Sequence, residues 1–134
     1  MDHKEIIPLK LLLYKGHKAL FAFEEAVATD IGDKKSRDSL LLSFIFTFEM
    51  AVKCLKAALA ERSLSVPDYA VAILKAGFQA DLIDDPDGWD ALRENRNDIS
   101  HAYDESLAVA IAAHARQHAA PLIKKLLARL ERDD

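Results

Sequence analysis

The stretch LLLSFIFTFEMAVKCLKAAL, residues 40–59, is the most apolar part of the chain. Its apolar residues recur at helical spacing and extend well past one face of a helix, a pattern typical of a helix buried on several sides. We expect this helix to begin near residues 36–38, capped by Ser36 or Asp38, and to end near Arg62. Its apolar surface exceeds what four short neighbouring helices would cover, so we also expect a homodimer.

Further helices are predicted on both sides of this one, over residues 4–28 and 67–80, from near Asp87, and over 104–132. Pro8 falls in the first turn of the first helix, where a missing N–H is harmless. Pro121 should kink the last helix. The residues expected to form the buried stripe of that helix are Leu107, Ile111, Ala115, His118, Leu122, Leu126 and Leu130.

Length and composition favour one domain over residues 1–134. The chain has 51% apolar residues but only 4 Gly and 4 Pro, which points to helices rather than to a turn-rich β-sandwich. The predicted fold is all-α, an up-and-down bundle of four long helices plus a short one. A net charge of −4 argues against a broad, sequence-independent clamp on nucleic acid, although it leaves room for a local basic patch.

Simple sequence features indicate the compartment. Cys54 is the single cysteine, which rules out an internal disulfide and predicts a small buried thiol. The chain has no run of 18 apolar residues, and its first residues, MDHKE, do not resemble a signal peptide. We therefore expect a cytoplasmic protein without a membrane segment.

The segment RENRNDISHAYDE, residues 93–105, holds more polar functionality than a junction between two helices needs. On one continuous α-helix, Arg96 and His101 would point about 140° apart. For both to reach one ligand the helix must break between them, and Asp98 tolerates such a break. The alternative is a solvated corner in which Arg96 pairs with Glu94 or Asp98.

This segment resembles the signature of the HEPN domain, which reads Arg, four residues, His, one residue, Tyr. Arg96, His101 and Tyr103 match it, and Asn97 follows the Arg as is common among the nucleotidyltransferase substrate-binding, or HepT-type, members. Residues 44–56 look like the aromatic second helix of that family. The resemblance covers about residues 5–132, and it implies the same bundle fold.

The resemblance implies a metal-independent endoribonuclease, the toxin of a toxin–antitoxin pair, that needs no cofactor. Arg96 would hold the phosphate and His101 would transfer protons during attack by the RNA's own 2′-OH. Because one His does not easily serve as base and acid in one step, a twofold dimer with both motifs in one cleft would suit this chemistry. The RNA, tRNA or mRNA, would bind in that cleft.

A second role implied by the resemblance is that of a partner for a minimal nucleotidyltransferase, the antitoxin. In the toxin branch the transferase adds AMP to the motif Tyr, here Tyr103, which would block the cleft; an ordinary half-buried tyrosine is the alternative. The protein could instead be a non-catalytic subunit that binds a nucleotide or substrate for the transferase.

Two other groups of residues are weaker candidates. Glu49 could support the motif, as a polar residue of that helix often does in the family, or could simply pair with Lys53. His114 and His118 have a spacing that can hold a metal, but no neighbouring carboxylate completes the ligand set, so we expect no metal site.

Overall fold

The computed structural model describes residues 7–29, 32–101 and 104–132, and this part of the chain is helical without strands. It contains α1 (Leu9–Ala28), α2 (Lys34–Glu61), α3 (Ala70–Gln79), α4 (Pro86–Asp98), a 3-10 turn (Ile99–His101) and α5 (Glu105–Arg132). The prediction of an all-α bundle is confirmed. None of the described helices is both long and apolar enough to cross a membrane.

Helix α2 is the central helix, as its many-sided apolar pattern predicts. It packs against α1, α3, α4 and α5. A row of aromatic rings runs through its core face, with Phe44 6.3 Å from Phe23 and 6.0 Å from Phe48, and Phe48 6.2 Å from Trp89. These four side chains are at most 2% exposed, so they join α1, α2 and α4 into one core.

A glycine allows three helices to meet closely. A Cβ atom built on Gly16 of α1 would lie 3.2 Å from Leu127 of α5 and 3.4 Å from the sulfur of Cys54 on α2. The Cys54 thiol is fully buried and donates to the Leu12 carbonyl oxygen at 3.2 Å. Burial raises the pKa of this thiol to about 12. The prediction of a buried cysteine is confirmed.

The ends of two helices differ from the prediction. Helix α2 begins at Lys34, and its cap is Asp33, whose carboxylate accepts from the Ser36 amide at 2.6 Å. The proposed caps at Ser36 and Asp38 are wrong because the helix already begins at Lys34, so both residues lie inside it. Pro8 lies just before the first residue of α1 rather than inside its first turn.

Helix α5 follows the predicted stripe with one exception. Ile111, Ala115, Leu126 and Leu130 are buried, Leu107 and Leu122 are partly buried against the core, and His118 is exposed. The correction has a physical reason, because the neighbouring Ala119 occupies the core position of that turn and is 0% exposed. Pro121 lies inside α5 without ending it.

Candidate functional site

Helix α4 is held so that its last turn leaves the core. Asp85 caps its first turn by accepting from the Gly88 amide at 2.9 Å. Trp89 and Leu92 are 2% and 0% exposed, and they fix the face of α4 that meets the core. Arg96 follows Leu92 by one turn and keeps 34% of its side chain exposed. The arginine therefore emerges at the edge of the core.

The chain leaves the α-helix between Arg96 and His101. Residues Ile99–His101 form a 3-10 turn, and the Ser100 hydroxyl donates to the Asn97 carbonyl oxygen at 2.9 Å. The break that the motif requires is therefore present. It changes the direction of the chain just before the imidazole, which is exposed to solvent.

A cap on the next helix bounds this turn on its other side. Asp104 accepts from the amides of Ser106 at 2.9 Å and Leu107 at 3.3 Å, so α5 starts immediately afterwards. The Asp104 amide itself donates to the His101 carbonyl oxygen at 3.4 Å. His101 thus lies in a short turn between two helices whose ends are both fixed.

The structure brings Glu49 of α2 to Arg96. Both Nε and Nη2 of Arg96 donate to Oε1 of Glu49, at 2.8 and 2.7 Å. This contact places Glu49 beside the motif arginine, whereas its functional role stays a prediction. The carboxylate oxygen accepts two guanidinium hydrogen bonds, as a phosphate oxygen would. The pair is half-exposed, so an incoming anion can compete with Glu49 for the arginine.

Two further polar residues meet on the side of α4 that faces α5. Nδ2 of Asn95 lies 2.5 Å from Nδ1 of His114, and the ring of His114 is 4.6 Å from that of His118. Burial, and secondarily the charge of His118, lowers the pKa of His114 from its usual value of 6.5. Asn95 has no sequence signal for this role, because its partner lies on another helix.

Arg37 is a second arginine near the junction that sequence reasoning missed. Its guanidinium lies 3.5 Å from Glu105 at the start of α5, and only 13% of its side chain is exposed. Its Nε is buried without a hydrogen-bond partner among the described residues. Arg37 therefore ties the start of α2 to the start of α5.

Of the two remaining residues predicted for the site, the structure describes one. Asn97 is exposed, and its carbonyl oxygen accepts from Ser100. Tyr103 lies outside the described residues. Among those described, His, Cys, Asp and Glu form no group of three that could hold a metal.

A cavity lies away from the motif. A groove of about 720 Å³ separates the turn before α4 from the last turns of α5, and its lining includes Leu82, Trp89 and Leu126. Lys125 at its rim donates to Asp84 at 2.5 Å, and this hydrogen bond lowers the pKa of the Asp84 carboxyl. That lysine is therefore already neutralised by a carboxylate of the chain itself.

A five-helix bundle with an arginine and a histidine on either side of a broken helix defines a HEPN-type protein. The chain belongs to the family described as nucleotidyltransferase substrate binding protein like, whose sequence model matches residues 12–132. The resemblance found from the motif is thereby confirmed.

Two relatives support this assignment. The chain is 32% identical over 74 residues to the "probable ribonuclease HepT" of Haemophilus influenzae, a match covering 52% of this chain and about half, 51%, of that protein. A crystal structure from Thermus thermophilus superposes with a TM-score of 0.80 at 27% identity, covering 87% of this chain and 99% of that one. The bundle is therefore a fold shared with a solved protein.

Proposed function

We propose that this protein is a metal-independent endoribonuclease of the HepT type, the toxin partner of a minimal nucleotidyltransferase. The observation that carries the proposal is the pair of Arg96 and His101 on either side of the helix break. Both side chains reach solvent at the same junction, one with a permanent charge and one with an imidazole that can accept or donate a proton. The name of the Haemophilus influenzae relative supports the same activity.

The reaction we propose is transesterification within the RNA. The 2′-oxygen attacks the neighbouring phosphorus as its proton passes to a base, and the bond from phosphorus to the 5′-oxygen breaks as that oxygen takes up a proton. The products are a 2′,3′-cyclic phosphate and a 5′-hydroxyl end. Arg96 stabilises the charge on the phosphorane, and His101 transfers one of the two protons. This route uses no metal.

A homodimer would supply the second proton-transfer group. Leu42 and Phe46 of α2 are 70% and 59% exposed, and they lie on the same helix face as Glu49. Because Glu49 contacts Arg96, this apolar strip borders the motif. A twofold contact through the strip would bring two copies of Arg96 and His101 into one cleft.

The Glu49–Arg96 pair gives the resting site a counter-charge. In the proposed cycle an RNA phosphate displaces the Glu49 carboxylate from the guanidinium. The arginine is then oriented on its substrate by the two donor groups that Glu49 now occupies. Glu49 therefore holds Arg96 extended across α2 until RNA arrives.

Tyr103 is the proposed site of control by the transferase. It follows His101 by two residues, so AMP attached to its phenolic oxygen would put phosphate charge and bulk beside the catalytic pair. The added phosphates would compete for Arg96 and close the cleft.

The second candidate is a non-catalytic subunit that presents a nucleotide or substrate to the transferase. The description of the matching family supports it directly. In that role Arg96 would bind a nucleotide phosphate, and His101 would have no proton to transfer.

The deciding experiment is cleavage of total RNA and tRNA by the purified protein in EDTA, with Tyr103 shown to be unmodified by mass spectrometry. His101→Ala should abolish cleavage, and cyclic phosphate ends should be found. His118→Ala is the matched control, because His118 is also exposed but lies on α5. Cleavage that survives in His101→Ala would refute the assignment, and absence of cleavage by the unmodified parent would favour the binding subunit.

The dimer and the transferase are tested separately. Phe46→Glu should convert a dimer into monomers by light scattering and reduce cleavage, whereas Phe78→Glu, on the exposed side of α3, should change neither. Incubation with the cognate transferase and ATP should add mass to the parent but not to Tyr103→Phe. A parent that is already monomeric would contradict the proposed dimer. A parent whose mass does not change would contradict modification of Tyr103 by the transferase.

A further inference from the structure

The outer face of α1 differs in charge from the rest of the protein. Between Glu5 and Glu24 the sequence has three lysines and no Asp or Glu, in a chain whose net charge is −4. We define the α1 outer face as Lys10, Tyr14, Lys15, Lys18 and Phe21, all of which are exposed. Such a local basic patch is compatible with the negative net charge of the chain.

Two aromatic rings stand out on this face. Tyr14 is 60% exposed and Phe21 is 65% exposed. They are seven residues apart, so they lie on one side of the helix, separated by about 10 Å along its axis. Lys18 lies between them in sequence, with its Nζ 5.4 Å from the centre of the Tyr14 ring.

The packing of the bundle does not account for these rings. The opposite side of α1 is already in the core, where Gly16 approaches Leu127 and Phe23 is 0% exposed. Ala19, whose carbonyl oxygen accepts from Thr47 of α2, lies about 140–160° around the helix from Tyr14 and Phe21. The α1 outer face is therefore also separate from the apolar strip of α2.

We propose that the α1 outer face binds single-stranded RNA. Exposed aromatic rings at regular spacing stack with bases without regard to sequence, and lysines between them neutralise the phosphates. The cation near the ring of Tyr14 fits a strand whose base stacks there while its phosphate reaches Lys18. Glu131 of α5 contacts His17 at the edge of the face, leaving the lysines on the side of the rings.

The face is a poorer match for a membrane or an acidic protein. An interfacial helix inserts its main apolar side into the lipid, and that side of α1 is buried in the bundle. What is left outside is two separated rings with Leu11, too little for a continuous apolar surface. The carboxylates of an acidic protein would pair with the lysines, but they would not stack on the two exposed aromatic rings.

The inference deepens the proposed function, since it rests on RNA as the substrate class. Helices α1 and α5 are antiparallel, with Gly16 against Leu127 and the Val27 carbonyl oxygen 3.5 Å from Arg116. Phe21 lies midway between these contacts, which places it about 25 Å along α5 from its first residue. An RNA held there has its flanking nucleotides within reach of the motif, so the face would favour longer substrates.

The test measures binding without cleavage, by fluorescence anisotropy of a labelled single-stranded RNA of about 20 nucleotides added to the His101→Ala protein. Tyr14→Ala and Phe21→Ala should each weaken binding about tenfold. Lys18→Ala should reduce the slope of log affinity against log salt by about 0.7. Tyr69→Ala is the matched control, because Tyr69 is 59% exposed at the start of α3 and should not affect binding.

Binding that is unchanged in Tyr14→Ala and Phe21→Ala, with folding verified by circular dichroism, would overturn the inference. An equal loss in Tyr69→Ala would overturn it too, since the effect would then not belong to this face. Vesicles containing phosphatidylserine form a third arm: capture that depends on Tyr14 and Phe21 while RNA binding does not would assign the face to lipid. RNA binding that depends on this face in a parent that cleaves no RNA would refute the ribonuclease but not the face.

Discussion

The centre of the bundle and the α4–α5 junction differ in the polarity and the burial of their side chains. Around Phe44 the core is formed by buried apolar side chains, on a helix that packs against four others. From Asn95 to Glu105 the described side chains other than Ile99 are polar and largely exposed, and they are held by individual hydrogen bonds, such as the one from Ser100 to Asn97. The first region offers a ligand apolar surface and no charge, and the second has little apolar surface to stabilise a fold.

The difference separates stability from function. Burial of apolar side chains accounts for most of the folding free energy, so changes in the core should unfold the protein and remove every activity together. Changes at exposed junction residues should leave the free energy of unfolding within about 0.5 kcal/mol of the parent. An RNase whose activity and stability fell in parallel at both places would contradict this division.

The largest effect is expected at Phe44. It is 0% exposed and contacts Phe23 and Phe48, so Phe44→Ala should lower the free energy of unfolding by about 3–5 kcal/mol in urea denaturation. Phe46→Ala, two residues further on the same helix, is the control, because Phe46 is 59% exposed. Similar losses in the two variants at a protein concentration that keeps the chain monomeric would break the contrast.

The next effect is an added methyl group where α3 meets α2. A Cβ atom on Gly77 would lie 2.7 Å from Cδ2 of Leu55, a side chain that is 0% exposed and has little room to move. Gly77→Ala should therefore destabilise the protein by about 1–3 kcal/mol, even though Ala favours helix more than Gly does. Thermal unfolding followed by circular dichroism measures this, and an unchanged or higher Tm would show that Leu55 repacks freely.

The fold was predictable because the apolar residues of the core repeat at helical spacing. The pattern around Phe44 predicts a helix buried on several sides, and that is the position of α2. Helix ends were less predictable, since Asp33 and Ser36 are both good caps and the choice depends on one local hydrogen bond. His118 was misplaced because a stripe at helical spacing does not show which of two adjacent residues, His118 or Ala119, faces the core.

The site was predictable only where its residues are close in sequence. The break between Arg96 and His101 follows from their spacing, whereas the roles that the family motif implies for the two residues stay predictions. The contacts of Arg96 with Glu49 and of Asn95 with His114 join residues on different helices, so only the packing of the bundle reveals them. The contact of Arg37 was not predictable from the sequence, because its partner Glu105 is 68 residues away.

A smaller effect is expected from the Glu49–Arg96 pair, which tests the polar junction instead of the core. Both side chains are partly exposed, so Glu49→Gln should change the free energy of unfolding by less than about 1 kcal/mol. If Glu49 only holds the arginine for RNA, this variant in the His101→Ala background should bind RNA more tightly, by a few-fold in anisotropy titrations. Weaker binding would show that Glu49 positions Arg96 rather than competing for it. Lys53→Gln, one turn further along α2, is the matched surface control.

The smallest effect is the pH dependence of stability that His114 brings to the α4–α5 packing. Cys54 does not contribute in this range, because burial raises its pKa to about 12. Burial and then His118 lower the pKa of His114 below 6.5, so the folded protein favours the neutral ring. The unfolded chain consequently takes up this proton first as the pH falls. The stability that His114 contributes is present above about pH 6.5 and is lost as the pH falls below it. Unfolding in urea at about pH 7 and about pH 5 should therefore show a larger loss of unfolding free energy at the lower pH for the parent than for His114→Gln.

NMR titration should show the pKa of His114 rising toward 6.5 in His118→Gln, but only in part, because burial is the larger cause. A pKa that returned fully to 6.5 would mean that the charge of His118, and not the packing of α4 against α5, sets the state of this ring.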